Sequence, residues 1–169
     1  MIGNTCFIPI VIEQVEQLAA TIAATDIAVY LRYSRWGYAA VNAAHILGFA
    51  LLIGAILPLD LKLFGFWPRI DREHLARVLV PVAAFGLLLA ITAGALLFST
   101  GAKEYVGFGV FQIKIILIAT GAISALLTHA FNGLWLQRNP GRRLWLAGTI
   151  SIICWLGALV CGRLIAFMH

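Results

Sequence analysis

Charge is what this chain has least of. Asp, Glu, Lys and Arg make up 11% of its 169 residues against 62% hydrophobic ones, with a mean hydropathy of +0.97. That is too little polar surface to cover a water-soluble domain. The net charge of +5 would suggest a nucleic-acid partner in a soluble protein. Here the basic residues sit at the ends of apolar runs, where they fix topology and meet anionic headgroups, so lipids rather than nucleic acids are the expected partners. Cysteine is scarce too. Of the 3 present, Cys6 lies in the tail, while Cys154 and Cys161 lie about 10 Å apart along one predicted helix and cannot bridge to each other. No Ser–His–acid arrangement, phosphate loop or HExxH helix appears, which argues against a hydrolase. The first basic residue is Arg32, so the amino terminus lacks the positive n-region of a signal peptide and Met1 is expected to be the mature start. There is no internal repeat, low-complexity tract or second domain.

What the chain has is long apolar runs. They extend over Gly37 to Leu59, Val78 to Ser99, Phe108 to Phe131 and Leu144 to Phe167, and each suffices to cross a hydrocarbon core of about 30 Å as a helix. The first connection carries Lys62, Arg69, Arg72 and Arg77, and the third carries Arg138, Arg142 and Arg143; the other side has only Arg32, Arg35 and Lys103. The positive-inside rule then predicts cytoplasmic basic loops and periplasmic termini in a bacterial inner membrane. Trp36, Tyr38, Trp67, Tyr105, Trp135 and Trp145 fall near the predicted interfaces, as an aromatic belt would. Before Arg32, Val11, Val15, Leu18, Ile22 and Val29 repeat at helical spacing, with Glu13, Gln14, Gln17 and Asp26 elsewhere on the wheel. One amphipathic helix is expected there, lying on the periplasmic surface or docking a partner subunit. The predicted fold is all-α: a four-helix transmembrane up-and-down bundle over residues 36–169, preceded by an amphipathic interfacial segment over 1–35. Small residues mark its seams, Gly86, Ala90 and Gly94 in the second span and Gly148, Ser151, Ala158 and Gly162 around Trp155 in the fourth.

Ionisable groups inside a bilayer are costly and therefore point to function. His45 lies roughly 5 Å from the centre of the first span, too deep to snorkel. Asn42 and Gly48 flank it at three-residue spacing, giving one face an amide, an imidazole and a gap that could admit a flat cofactor. A neutral histidine bonded to a neighbouring helix, a haem or metal ligand, and a proton or quinone group are all open. Lys114, Gly121, Ser124 and Thr128 share one face of the third span, which is expected to look inward. Lys114 either snorkels to water or meets a haem propionate, a quinone oxygen or an acidic partner. Arg163 lies at a similar depth, so His45 and two cations are expected to converge, with an anionic ligand as their complement. His129 and His74 both fall near the opposite surface and form a candidate metal or haem pair of their own. Asp60 is expected to pair with Lys62 or Arg143. Cys154, Gly157 and Cys161 align on the fourth span, with Met168 and His169 as the only other soft ligands for copper.

Trp36, His45, Gly48, Gly54, Asp60-Leu61 and Gly65, then Thr92-Ala93-Gly94 with Phe98, Phe111 with Lys114, and the closing Gly162-Arg163-Leu164-Ile165-Ala166 resemble an uncharacterised family of small bacterial four-span membrane proteins. The likeness covers about residues 30 to 169. In architecture the pattern is distantly similar to four-helix b-type cytochromes and to copper-resistance membrane proteins of the D type. Those cytochromes hold each haem between paired histidines; here no second histidine shares the depth of His45, so a second protomer or another subunit would have to supply one.

The leading functional expectation is a small membrane redox subunit, holding a b-type haem or a quinone in the periplasmic half with His45, Lys114 and Arg163. It would be an electron-transfer or accessory subunit rather than a stand-alone enzyme. The alternatives are a non-catalytic anchor in a larger complex or homo-oligomer, and a small transporter or copper-handling protein.

Overall fold

The computed structural model describes residues 14, 17–137 and 142–168. Seven helices appear among them and no strand: α1 over 17–23, α2 (Asp26–Tyr33), α3 (Arg35–Leu63), α4 (Arg72–Thr100), α5 (Ala102–Val106), α6 (Gly109–Asn132) and α7 (Arg142–Met168). Four of these, α3, α4, α6 and α7, are long and apolar enough to cross a membrane. Helix is what such segments must form in hydrocarbon, because only a helix satisfies its backbone groups internally.

The single amphipathic helix expected before Arg32 is instead broken in two. Thr25 stops α1 and starts α2, its hydroxyl accepting from the Ala28 N–H at 3.4 Å, and Ser34 repeats the device for α3 by accepting from Gly37 N–H at 3.1 Å. Short hydroxyl side chains favour such caps over helix interiors. Val11, Glu13 and Val15 of that pattern lie outside the described residues. Arg32 ties the segment down, its Nε donating to Thr100 O at 3.1 Å and its Nη2 to Ala23 O at 3.2 Å. Helices α3 and α4 also run past their apolar cores towards the basic loop, where Asp71 caps α4 through His74 N–H at 3.0 Å.

The membrane helices are ordered by contact as α4, α3, α7, α6. Packing of α3 on α4 is the most extensive, α6 on α7 comes next, and α3 joins α7; among the described residues the α4 and α6 backbones do not meet. Side chains close that gap at the termini side, where Phe98 of α4 stacks on Phe111 of α6 with centroids 5.3 Å apart and Tyr105 of α5 packs on both. At the basic-loop side, Leu59, Ala76, Leu136 and Leu144 form a buried cluster. The outward faces present Ile116, Leu126 and Phe131, an apolar exterior suited to acyl chains rather than water.

The seam between α3 and α4 is backbone against backbone. A Cβ on Gly48 would stand 2.6 Å from Ala90 N, and one on Gly86 would stand 2.6 Å from Leu52 N. Only glycine permits that approach.

Candidate functional site

Two polar levels lie between the helices. The first is towards the termini. His45 projects from α3 across Gly94 of α4, where a Cβ would lie 3.0 Å from the ring, and its Nδ1 is 2.8 Å from Ala90 O. A carbonyl only accepts, so Nδ1 carries the proton and donates, leaving the lone pair on Nε2. The imidazole is thus fixed as an acceptor. Lys114 of α6 is close enough for its charge to act on that ring, and its Nζ lies 3.4 Å from where a Gly162 Cβ would stand. The absent side chain of Gly162 makes room for the ammonium between α6 and α7. Among the described residues no carboxylate pairs with Lys114. Phe98, Phe111 and Tyr105 roof this level, with burial holding the Tyr105 phenol above its ordinary range and so neutral.

Two of the residues expected here are elsewhere. Asn42 is exposed on the outer face of α3. Arg163 is exposed as well, its guanidinium 4.8 Å above the Phe167 ring. The reason is rotational: Gly162 faces Lys114, and the next residue on a helix points about 100° away. The gap expected beside Gly48 is occupied by the α4 backbone. A flat macrocycle therefore finds no slot against His45 between α3 and α4, and among the described residues no second histidine reaches this level; the residues present do not fit a haem within one chain.

The second level, towards the basic loops, includes the anticipated candidate His129, but beside Asp60 rather than His74. Asp60 is 5% exposed and does not pair with Lys62, whose Nζ donates instead to Trp67 O at 2.8 Å; the Arg143 side chain, its other expected partner, lies outside the described residues. It lines a cavity of about 60 Å³ between α3, α6 and α7, together with Ser124, Thr128 and His129 of α6 and Ser151 and Trp155 of α7. The Ser151 hydroxyl lies beside the carboxyl. Asp60 Oδ2 and His129 Nδ1 are both buried without a hydrogen-bond partner, in a setting where an unpaired polar atom typically costs about 1–3 kcal/mol. Thr128 spends its proton on Ser124 O at 2.7 Å, so its oxygen remains an acceptor.

His129 and His74 are not joined. His74 is exposed at the start of α4, its Nδ1 3.0 Å from Asp71 Oδ1, while His129 faces the cavity. Among the described residues no group of three or more His, Cys, Asp or Glu is arranged to hold a metal ion. Cys154 is buried against Gly121, and both Cys154 and Cys161 are free thiols.

Between the levels the interior is apolar. Trp155, 2% exposed, lies against Gly121 with ring atoms 3.2 Å from a Cβ there, Leu117 fills the space over Gly157, and Leu52 is buried at the same height. The inward face expected for α6 is present, with Gly121 at this plug and Ser124 and Thr128 below it. A signal for Asp60 did exist: it continues the buried face Gly48, Leu52, Ala55 and Leu59, and α7 offers small Gly148 and Ser151 opposite it. Comparisons with protein-family profiles, curated proteins and solved structures give no match.

Proposed function

We propose that this multi-pass membrane protein is a redox subunit that binds a quinone at its termini-side level, with His45 and Lys114 as the polar contacts. The observation that carries this is the pairing of an imidazole fixed as acceptor with an ammonium that lacks a carboxylate partner. A quinol hydroxyl would donate to His45 Nε2 and a quinone oxygen would accept from Lys114, while the aromatic roof offers a stacking surface for the ring. The basic connections favour a cytoplasmic location for the loops, which sets this level in the periplasmic half of a bacterial inner membrane. The anchor alternative assigns His45 to its bond with Ala90 O and Lys114 to snorkelling, and gives the two no common ligand.

The test is titration of the detergent-purified protein with a short-chain quinone, read by tryptophan quenching, beside a dithionite-reduced minus oxidised spectrum. Saturable binding is expected. His45→Ala and Lys114→Met should each weaken it about tenfold or more, the loss of one strong hydrogen bond. Equal affinity in both variants, or a sharp haem alpha band, would overturn the assignment.

A further inference from the structure

The cavity at the basic-loop side has no role in quinone binding, and its chemistry is of another kind. Its lining is apolar apart from one acid, one imidazole and the hydroxyls of Ser124, Thr128 and Ser151. Asp60 comes from α3 and His129 from α6; among the described residues α7 and the 133–137 connection contribute no ionisable group, and Lys62 is turned away to Trp67 O. An ionised Asp60 beside a neutral His129 would leave one uncompensated negative charge in this enclosure, which low-dielectric surroundings penalise heavily.

We propose that the cavity is a proton-binding site, in which Asp60 Oδ2 and His129 Nδ1 share one proton through enclosed water. One proton on the pair brings its net charge to zero. A bridging water then meets both unpartnered atoms at once, accepting the proton of one and donating to the lone pair of the other. The volume of about 60 Å³ exceeds the roughly 10–15 Å³ that one water needs, and the site offers water the several polar partners that retain it. A metal cation is the poorer occupant, because the donor set includes only one carboxylate and among the described residues no third His, Cys, Asp or Glu joins it. Intramembrane Asp and His are the residues of proton relays for this reason. The proton exchanges with the side of the basic loops, since Trp155 closes the cavity towards the other level.

The test is pH-difference infrared spectroscopy of the full chain reconstituted in phosphatidylcholine vesicles, in H2O and D2O. A protonated-carboxyl band that shifts in D2O is expected, present in wild type, missing in Asp60→Asn and unmoved when K+ is exchanged for Na+. His129→Gln should retain the band but move its midpoint by about one pH unit or more, as expected when a hydrogen-bonding neighbour across the water is changed. The proposal is overturned if Asp60→Asn leaves the carboxyl region unchanged, or if Na+ displaces the proton. Should Asp60→Asn not fold, wild type, His129→Gln and Ser151→Ala decide: a band indifferent to both of these changes also overturns it. None of these readouts depends on quinone, so this site and the proposed quinone site fail separately.

Discussion

The two seams of α3 are built on opposite principles. Towards α4 the helices meet through Gly48 and Gly86 with main-chain atoms in contact and no room for a methyl group. Towards α6 and α7 the partners stand off, and the space between them holds a tryptophan plug, an acid, a histidine and a cavity. In hydrocarbon no hydrophobic driving force presses helices together, so dispersion and close backbone approach must do so. The α3–α4 seam is therefore the rigid one, and the α3–α6–α7 seam is free to carry polar groups. Stability and chemistry occupy different faces of the same helix.

The sharpest way to break this contrast is at the plug. Trp155→Ala removes the largest side chain from the looser seam and should cost about 3 kcal/mol by the usual cavity penalty for an aromatic, measured as detergent unfolding. An unchanged midpoint would show that the plug does not hold the hairpins together. Next comes the rigid seam, where Gly86→Val meets backbone on both sides and should cost about 1–3 kcal/mol. Its control is Gly54→Ala on the same α3, where a Cβ meets nothing within 4 Å; this change should stabilise by about 0.5–1 kcal/mol through helix propensity. Equal effects at the two glycines would erase the distinction between seam and open face.

Gly94→Ala probes the link between seam and site. Its methyl group would sit 3.0 Å from the His45 ring, displacing a side chain rather than a backbone, so quinone affinity should fall about as far as in His45→Ala while the unfolding midpoint barely moves. Loss of fold with loss of binding would contradict this. The smallest effect is expected at the rim. The His74 N–H, and after it the His74 ring, hold the Asp71 carboxyl below its ordinary 3.8. A depressed carboxylate contributes stability that is complete above 3.8 and lost as the pH falls through the lower folded value. The first turn of α4 should then fray in acid, seen as faster amide exchange at residues 74–76, with no counterpart in the glycine seam. Equal protection at neutral and acid pH would remove Asp71 from the account.

The four membrane helices were legible because their apolar runs are long and their flanks basic, and the Gly86, Ala90 and Gly94 row showed where helices would meet closely. His45 and Lys114 stood out by depth, although each also had a structural reading, and for His45 the bond to a neighbouring helix is present at Ala90 O. What spacing does not convey is rotation. Arg163 matches Lys114 in depth but turns away with its helix, and Asn42 shares a nominal face with His45 yet points outward. Asp60 was obscured by its neighbours: beside Lys62 and a basic loop it resembles a rim residue, and only the continuation of α3 to Leu63 makes it interior. The break at Thr25 was equally hidden, because a hydroxyl cap competes with an amphipathic period that runs straight through it.

The dry layer of Leu52, Leu117, Gly121, Trp155 and Gly157 also has an electrical meaning. A membrane potential falls most steeply where polarisable groups are fewest, and each elementary charge crossing 100 mV is worth about 2.3 kcal/mol. Lys114 and the Asp60–His129 pair sit on opposite sides of that layer. If each proposed site exchanges with its own side, it does so nearly free of the voltage, while any charge passing from one to the other would bear almost all of it.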